Sequence, residues 1–142
     1  MLSEQPIGEF LTALGERTPA PASGAATALT AALAAALVEL AARFAGDRDS
    51  VPRAKAALTR LVELADEDGA AYTDFMADRS VENRARIVAI PEEIAARADE
   101  VAELGETIRA QLSSSVAADA EAAVELAHAA SRVARRLAAL NA

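Results

Sequence analysis

Residues 18–45, TPAPASGAATALTAALAAALVELAARFA, decide the fold. A loop punctuated by Pro19 and Pro21 opens into a long segment of Ala, Leu and Thr, and no charge occurs from Thr18 to Val38. Leu29, Leu33, Leu37, Leu40 and Phe44 recur at helical spacing as one apolar stripe, while Gly24, Ala28, Ala32 and Ala36 put small side chains on another face. A helix that is apolar all round belongs in the middle of something. A membrane span competes for such a stretch, but the opening prolines, Thr27, Thr30 and the weak hydrophobicity of Ala favour a buried helix of a soluble domain. Its small face lets another backbone approach closely.

Working outward, capping signals predict four more helices. One runs from about Pro6 through Ile7, Phe10, Leu11 and Leu14 and stops before Pro19. The central helix is closed by Gly46. Ser50 and Pro52 start a third, which continues to about Asp78. Ser80 starts a fourth, with Ile87, Ile90, Ile94, Ala98, Val101, Ile108 and Leu112 on its apolar face, and Pro91 is expected to kink or interrupt it. After the turn Ser113–Ser115, residues 116–141 read as a last helix with Leu126, Val133, Leu137 and Leu140 on one side. The predicted fold is all-α, a single-domain bundle of about five helices over residues 1–142 around the Ala/Leu-rich one.

Composition agrees. The 142 residues are 53% hydrophobic, largely Ala, with only 3% aromatics, which suits packed helices and leaves little to build a sheet with. A net charge of −8 and the absence of a basic stripe exclude nucleic acid as a partner. There is no cysteine, hence no disulfide framework or thiolate nucleophile, and MLSEQPIGEF lacks the basic and apolar regions of a signal peptide; a cytoplasmic location without membrane attachment is expected. His128, the single imidazole, cannot build a zinc site alone. Arg132, Arg135 and Arg136 are most simply favourable charge near a helix C-terminus.

The sharpest anomaly lies in the third helix. Ala54, Leu58, Leu61, Ala65, Asp68, Tyr72 and Phe75 follow at spacings of three or four, so a carboxylate occupies a position of the apolar seam. An unpaired carboxylate there costs several kcal/mol or takes up a proton. It is either satisfied by a partner such as an Arg or the Tyr72 hydroxyl, or kept for its altered pKa.

The loop TPAPASGAATAL resembles the Pro-x-Pro-Gly-Gly-Gly-Ser-x-Ala-Ala-Leu signature of the formimidoyltetrahydrofolate cyclodeaminase and methenyltetrahydrofolate cyclohydrolase family. EFLTALGERTPAP looks like that family's first helix and its exit, ELADEDGAAY its third, IPEEIAARADEVAELGETI its fourth, and SSSVAADAE a weakened Asn-Pro-Asn-x-x-Ser-Asp-Ala stretch. The resemblance implies a folate-dependent one-carbon enzyme whose ligand is a tetrahydrofolate derivative, with neither metal nor organic cofactor. It implies Asp68 as the proton-transfer carboxylate and Asp119 as a second electrostatic or orienting group. Tyr72 becomes a hydrogen-bonding wall, and Pro21, Ser23 and Gly24 the loop that receives the pterin. Ala22, Ser23 and Ala25 stand where the family has Gly, Gly and Ser, and the connection between the third and fourth helices is short. A second reading therefore stands beside the enzyme: a non-catalytic helical dimer that binds a pterin-like ligand or a protein partner. In either reading the central helix has more apolar faces than four neighbours can cover, so a two-fold homodimer is expected.

Overall fold

The computed structural model describes residues 1–113 and 115–142. Five helices make up nearly all of it: α1 (Ile7–Leu14), α2 (Ser23–Ala45), α3 (Ser50–Ala77), α4 (Val81–Arg109) and α5 (Val116–Asn141), preceded by a 3-10 turn at Leu2–Glu4. No strand occurs among the described residues. Helix α2 packs against α3, α4 and α5 and is the centre of the bundle, while α1 is only loosely attached.

The helix ends follow local chemistry. α2 stops at Gly46, whose φ of 70° is the left-handed conformation that a side chain would strain. Ser80 accepts a hydrogen bond from the Asn83 N–H and caps α4. At α3 the expected cap moves by one residue: Asp49 precedes the helix, Ser50 is its first residue, and the Ser50 N–H donates to Asp47 instead. α1 ends at Leu14, earlier than the distance to Pro19 allowed. α4 runs on through Pro91, so the expected interruption does not occur. The predicted serine turn is described only in part, since Ser114 lies outside the described residues.

On α2 and α5 the core is made of small side chains, against which α3 and α4 set Leu61, Leu64, Ile94 and Ile108. On α2 the buried set is Ala25, Ala28, Ala31, Ala32, Ala34, Ala35, Val38, Ala41 and Ala42, and on α5 it is chiefly Ala120, Ala123, Ala127, Ala130, Ala134 and Ala138. The leucine stripe read from the sequence faces the other way. Leu33 is 61% and Phe44 67% exposed, Leu40 is exposed as well, and Leu29 and Leu37 are only partly covered. Leu126, Val133 and Leu140 of α5 are exposed too. A methyl side chain lets two helix axes approach closely, and the close contact of many backbones compensates for the small area each alanine buries. Length and composition alone would let α2 cross a bilayer, but 56% of its most apolar window is buried inside the bundle.

Polar bonds set the register between helices. Arg60 of α3 binds Glu93 of α4 through Nε at 2.7 Å and also reaches Glu67 and Glu63. These hydrogen bonds hold the Glu93 carboxyl below its usual range. Asp99 of α4 accepts from the buried Ser131 hydroxyl at 2.5 Å and pairs with Arg135 of α5. One arginine of the predicted C-terminal cluster is thereby committed to the fold. His128 is exposed. At the N-terminus, Ser3 donates to Asp66 through both its N–H and its hydroxyl, which ties the first turn to α3.

Candidate active site

The loop 18–22 delivers the chain to the start of α2 without a side-chain cap. Ala22 stands at the cap position with extended backbone, φ −144° and ψ −154°, which any residue adopts. Alanine has no oxygen to offer. The first-turn N–H groups at Ser23, Gly24 and Ala25 have no acceptor within the helix by position, and together they form the positive end of α2.

Asp68 of α3 lies directly over that end. Its carboxyl group is seated against the α-carbon of Gly24 so closely that a Cβ on residue 24 would overlap it outright. Asp68 is half-buried and has no hydrogen-bond or ion-pair partner among the described residues. Neither an arginine nor the Tyr72 hydroxyl satisfies it. Burial pushes its carboxyl above the ordinary value of 3.8, because desolvation penalises the charged form. The adjacent positive end of α2 acts in the opposite direction.

Around this carboxylate a cleft of about 240 Å³ is lined by Pro19, Ala22, Ser23, Gly24 and Tyr72, and by Pro91 of α4 with Leu137 and Asn141 of α5. Tyr72 is one turn beyond Asp68 on the same face of α3, half-buried and in reach of the same space. Ser23 and Ala22 are exposed to the cleft, so the side chains at these two positions have not filled it. Four of the six residues singled out from the sequence therefore meet: Asp68, Tyr72, Ser23 and Gly24.

The other two do not. Pro21 is buried and faces away, toward a shallow depression formed with Leu2 and Gly69. Asp119 sits in the first turn of α5, whereas the cleft receives the last turn of that helix. At 1.5 Å per residue the two ends are roughly 33 Å apart, so within one chain Asp119 cannot join Asp68. Sequence reasoning missed Pro91, Leu137 and Asn141. Only Pro91 carried a signal, as a helix-interior proline whose orphaned carbonyl needs a donor from elsewhere.

The formiminotransferase-cyclodeaminase family model matches residues 6–142. The chain belongs to this family. The solved structure of formiminotetrahydrofolate cyclodeaminase from Thermotoga maritima superposes on it with a TM-score of 0.91, covering 99% of this chain and 80% of that one at 23% sequence identity. At that identity the likeness is one of fold. A search of curated proteins returns no match. In the loop whose sequence resembles that family's signature, Gly24 is the residue whose missing Cβ makes room for the Asp68 carboxylate.

Gly24→Ala is expected to separate the site from the fold. The new methyl group evicts the Asp68 carboxylate, the short half-exposed end of a side chain that can swing outward, while Ala favours the helix. Stability should stay within about 1 kcal/mol of the parent, and activity or ligand affinity should fall at least about tenfold. Thermal melts alongside a binding assay check it; a variant that binds as the parent does would mean the Asp68–Gly24 contact has no role.

Proposed function

We propose that this chain is a cytoplasmic folate enzyme that cyclises 5-formimidoyltetrahydrofolate with loss of ammonia or hydrolyses 5,10-methenyltetrahydrofolate. The observation that carries this reading is the unpartnered, half-buried Asp68 carboxyl at the open N-terminus of α2. In cyclodeamination N10 attacks the formimidoyl carbon, the N10 proton is taken up, and the departing nitrogen is protonated as ammonia. In cyclohydrolysis water attacks the cationic methenyl carbon, loses a proton, and the ring opens. Both reactions need one group that alternately takes and gives a proton next to a cationic carbon. A carboxyl with a raised pKa does this, and its anion stabilises the cation. Tyr72 supplies a hydroxyl at the wall, and the first-turn N–H groups of α2 donate to ring carbonyl oxygens. These steps use only the chain's own residues; the chemistry calls for neither a metal nor an organic cofactor.

The second reading, a non-catalytic module that binds a pterin-like ligand or a protein partner, has one observation in its favour. The cleft of about 240 Å³ is smaller than the roughly 300–1,000 Å³ typical of small-molecule sites. Absorbance of 5,10-methenyltetrahydrofolate followed with and without protein separates the two. The enzyme reading predicts loss of the methenyl band above the spontaneous rate, reduced to that rate by Asp68→Asn in a variant at least as stable as the parent, since the substitution removes a desolvation penalty without stranding a partner. A saturable spectral shift without loss supports a pterin-binding module, and no change at all rejects both the enzyme and the pterin-binding module.

Assembly is proposed as a two-fold homodimer. Ile7 and Leu11 of α1, with Leu33, Leu40 and Phe44 of α2, leave an apolar face uncovered beside a groove between the two helices. The N-terminus of α2 and the C-terminus of α5 share the cleft end of the bundle, while Asp47, after α2, meets Gln111, before α5, at the opposite end. An antiparallel pairing across this face brings the Asp119 end of one copy toward the Asp68 cleft of the other. Sedimentation at micromolar concentration should give twice the 14.6 kDa chain mass. Mixed Asp68→Asn and Asp119→Asn subunits should regain activity that neither has alone. A monomer rules out the shared site, and a dimer without recovery removes Asp119 from it.

A further inference from the structure

Proline 91 lies in the middle of α4 and lacks an N–H, so the carbonyl of Ile87, four residues earlier, has no donor within the helix. Both residues are buried, and a buried carbonyl without a donor is costly. The donor comes from the far end of the chain. Asn141, in the last turn of α5, gives a hydrogen bond from Nδ2 to the Ile87 carbonyl at 2.8 Å. This bond fixes the orientation of the carboxamide, because only its nitrogen can face a carbonyl oxygen. Its Oδ1 is therefore turned away from Ile87, and it has no protein partner among the described residues. Asn141 lines the same cleft as Asp68 and Tyr72.

We infer that Asn141 is a ligand-binding residue whose Oδ1, held in place through the carbonyl that Pro91 leaves open, accepts a hydrogen bond from a ring N–H of the substrate. This rests on the folate reading, in which the donor-rich aminopyrimidinone edge of the pterin is the matching group. The acceptor is neutral, so it takes an N–H at any pH near neutrality and places no second negative charge beside Asp68. Aspartate at the same position would keep an acceptor but lose the anchor. Leucine would lose both. The proline and the asparagine form one device: the first creates a vacancy in the helix ladder, and the second fills it in a way that aims an oxygen into the cleft.

The alternative is that Asn141 merely satisfies a buried carbonyl, and a double variant distinguishes the two. In Pro91→Ala the N–H at position 91 returns and Ile87 regains its own helical donor, while the second lone pair of its carbonyl still accepts from Asn141 Nδ2. Asn141→Leu then strands nothing. In that background the added leucine should leave the melting midpoint unchanged while raising the KM, or the Kd from a spectral titration, for 5,10-methenyltetrahydrofolate by about tenfold, with kcat much less affected. Equal affinity of Pro91→Ala and the double variant would overturn the proposal and leave the folate reading standing. If Pro91→Ala alone abolishes binding, Asn141→Asp against Asn141→Leu in the parent makes the same comparison. Both strand the Ile87 carbonyl, but only aspartate keeps an acceptor, so it should bind at least about fivefold more tightly; equal affinities overturn the proposal. A parent protein that neither converts nor binds the compound overturns both readings.

Discussion

The close approach of α3 to the first turn of α2 is the constraint on which the rest of the molecule depends. It is possible because α2 presents alanine and glycine, and nothing larger than valine, to its neighbours through nearly its whole buried face. Three long helices gather around α2, whose buried side chains are almost all single methyl groups. On α1 and α2 this economy of side chain leaves larger apolar groups outside: Ile7, Leu11, Leu33, Leu40 and Phe44. At the end of α2, the approach is closest where residue 24 has no side chain and Asp68 occupies the space.

That placement works against stability. A carboxyl group half removed from water, with no ion-pair or hydrogen-bond partner, is what core packing selects against. Arg60 shows that the chain can satisfy carboxylates when it needs to, since it gathers Glu63, Glu67 and Glu93 within a few turns of Asp68 on α3 and α4. Among the described residues no such arrangement reaches Asp68. The cost is tolerated at the one place where the positive end of a helix, a tyrosine and a fixed carboxamide meet the same cleft. A locally unfavourable group surrounded by convergent polar groups is the usual signature of a site kept for chemistry.

Much of this was legible in the sequence, and the residues that were not share a cause. Helix number and the stop at Gly46 follow from capping and periodicity, which are local. Asp68 stood out because it broke a pattern that its own helix defines. The small face of α2 was expected to let another backbone approach, and Gly24, Ala28 and Ala32 are buried. That the Leu29–Phe44 stripe is largely left outside was not legible, because only the neighbouring helices decide which faces are covered. Asp119 looked like a companion of Asp68 from motif order alone. The length of α5 separates them within a chain. Asn141 carried no local signal, since its role depends on a carbonyl 54 residues away that lacks a donor.

The central claim is that Asp68 is an unpaired, partly desolvated carboxyl group. Its side-chain carboxyl resonance, assigned by comparison with Asp68→Asn and followed through an acid titration by carbon NMR, tests this directly. The account predicts a midpoint above the ordinary 3.8. Because the folded state then holds the proton over a pH range where the unfolded chain has lost it, this group's contribution to stability falls as pH rises from 3.8 through the folded midpoint. A midpoint at or below 3.8 would contradict the account, since it would mean that the carboxylate is solvated or held by a partner.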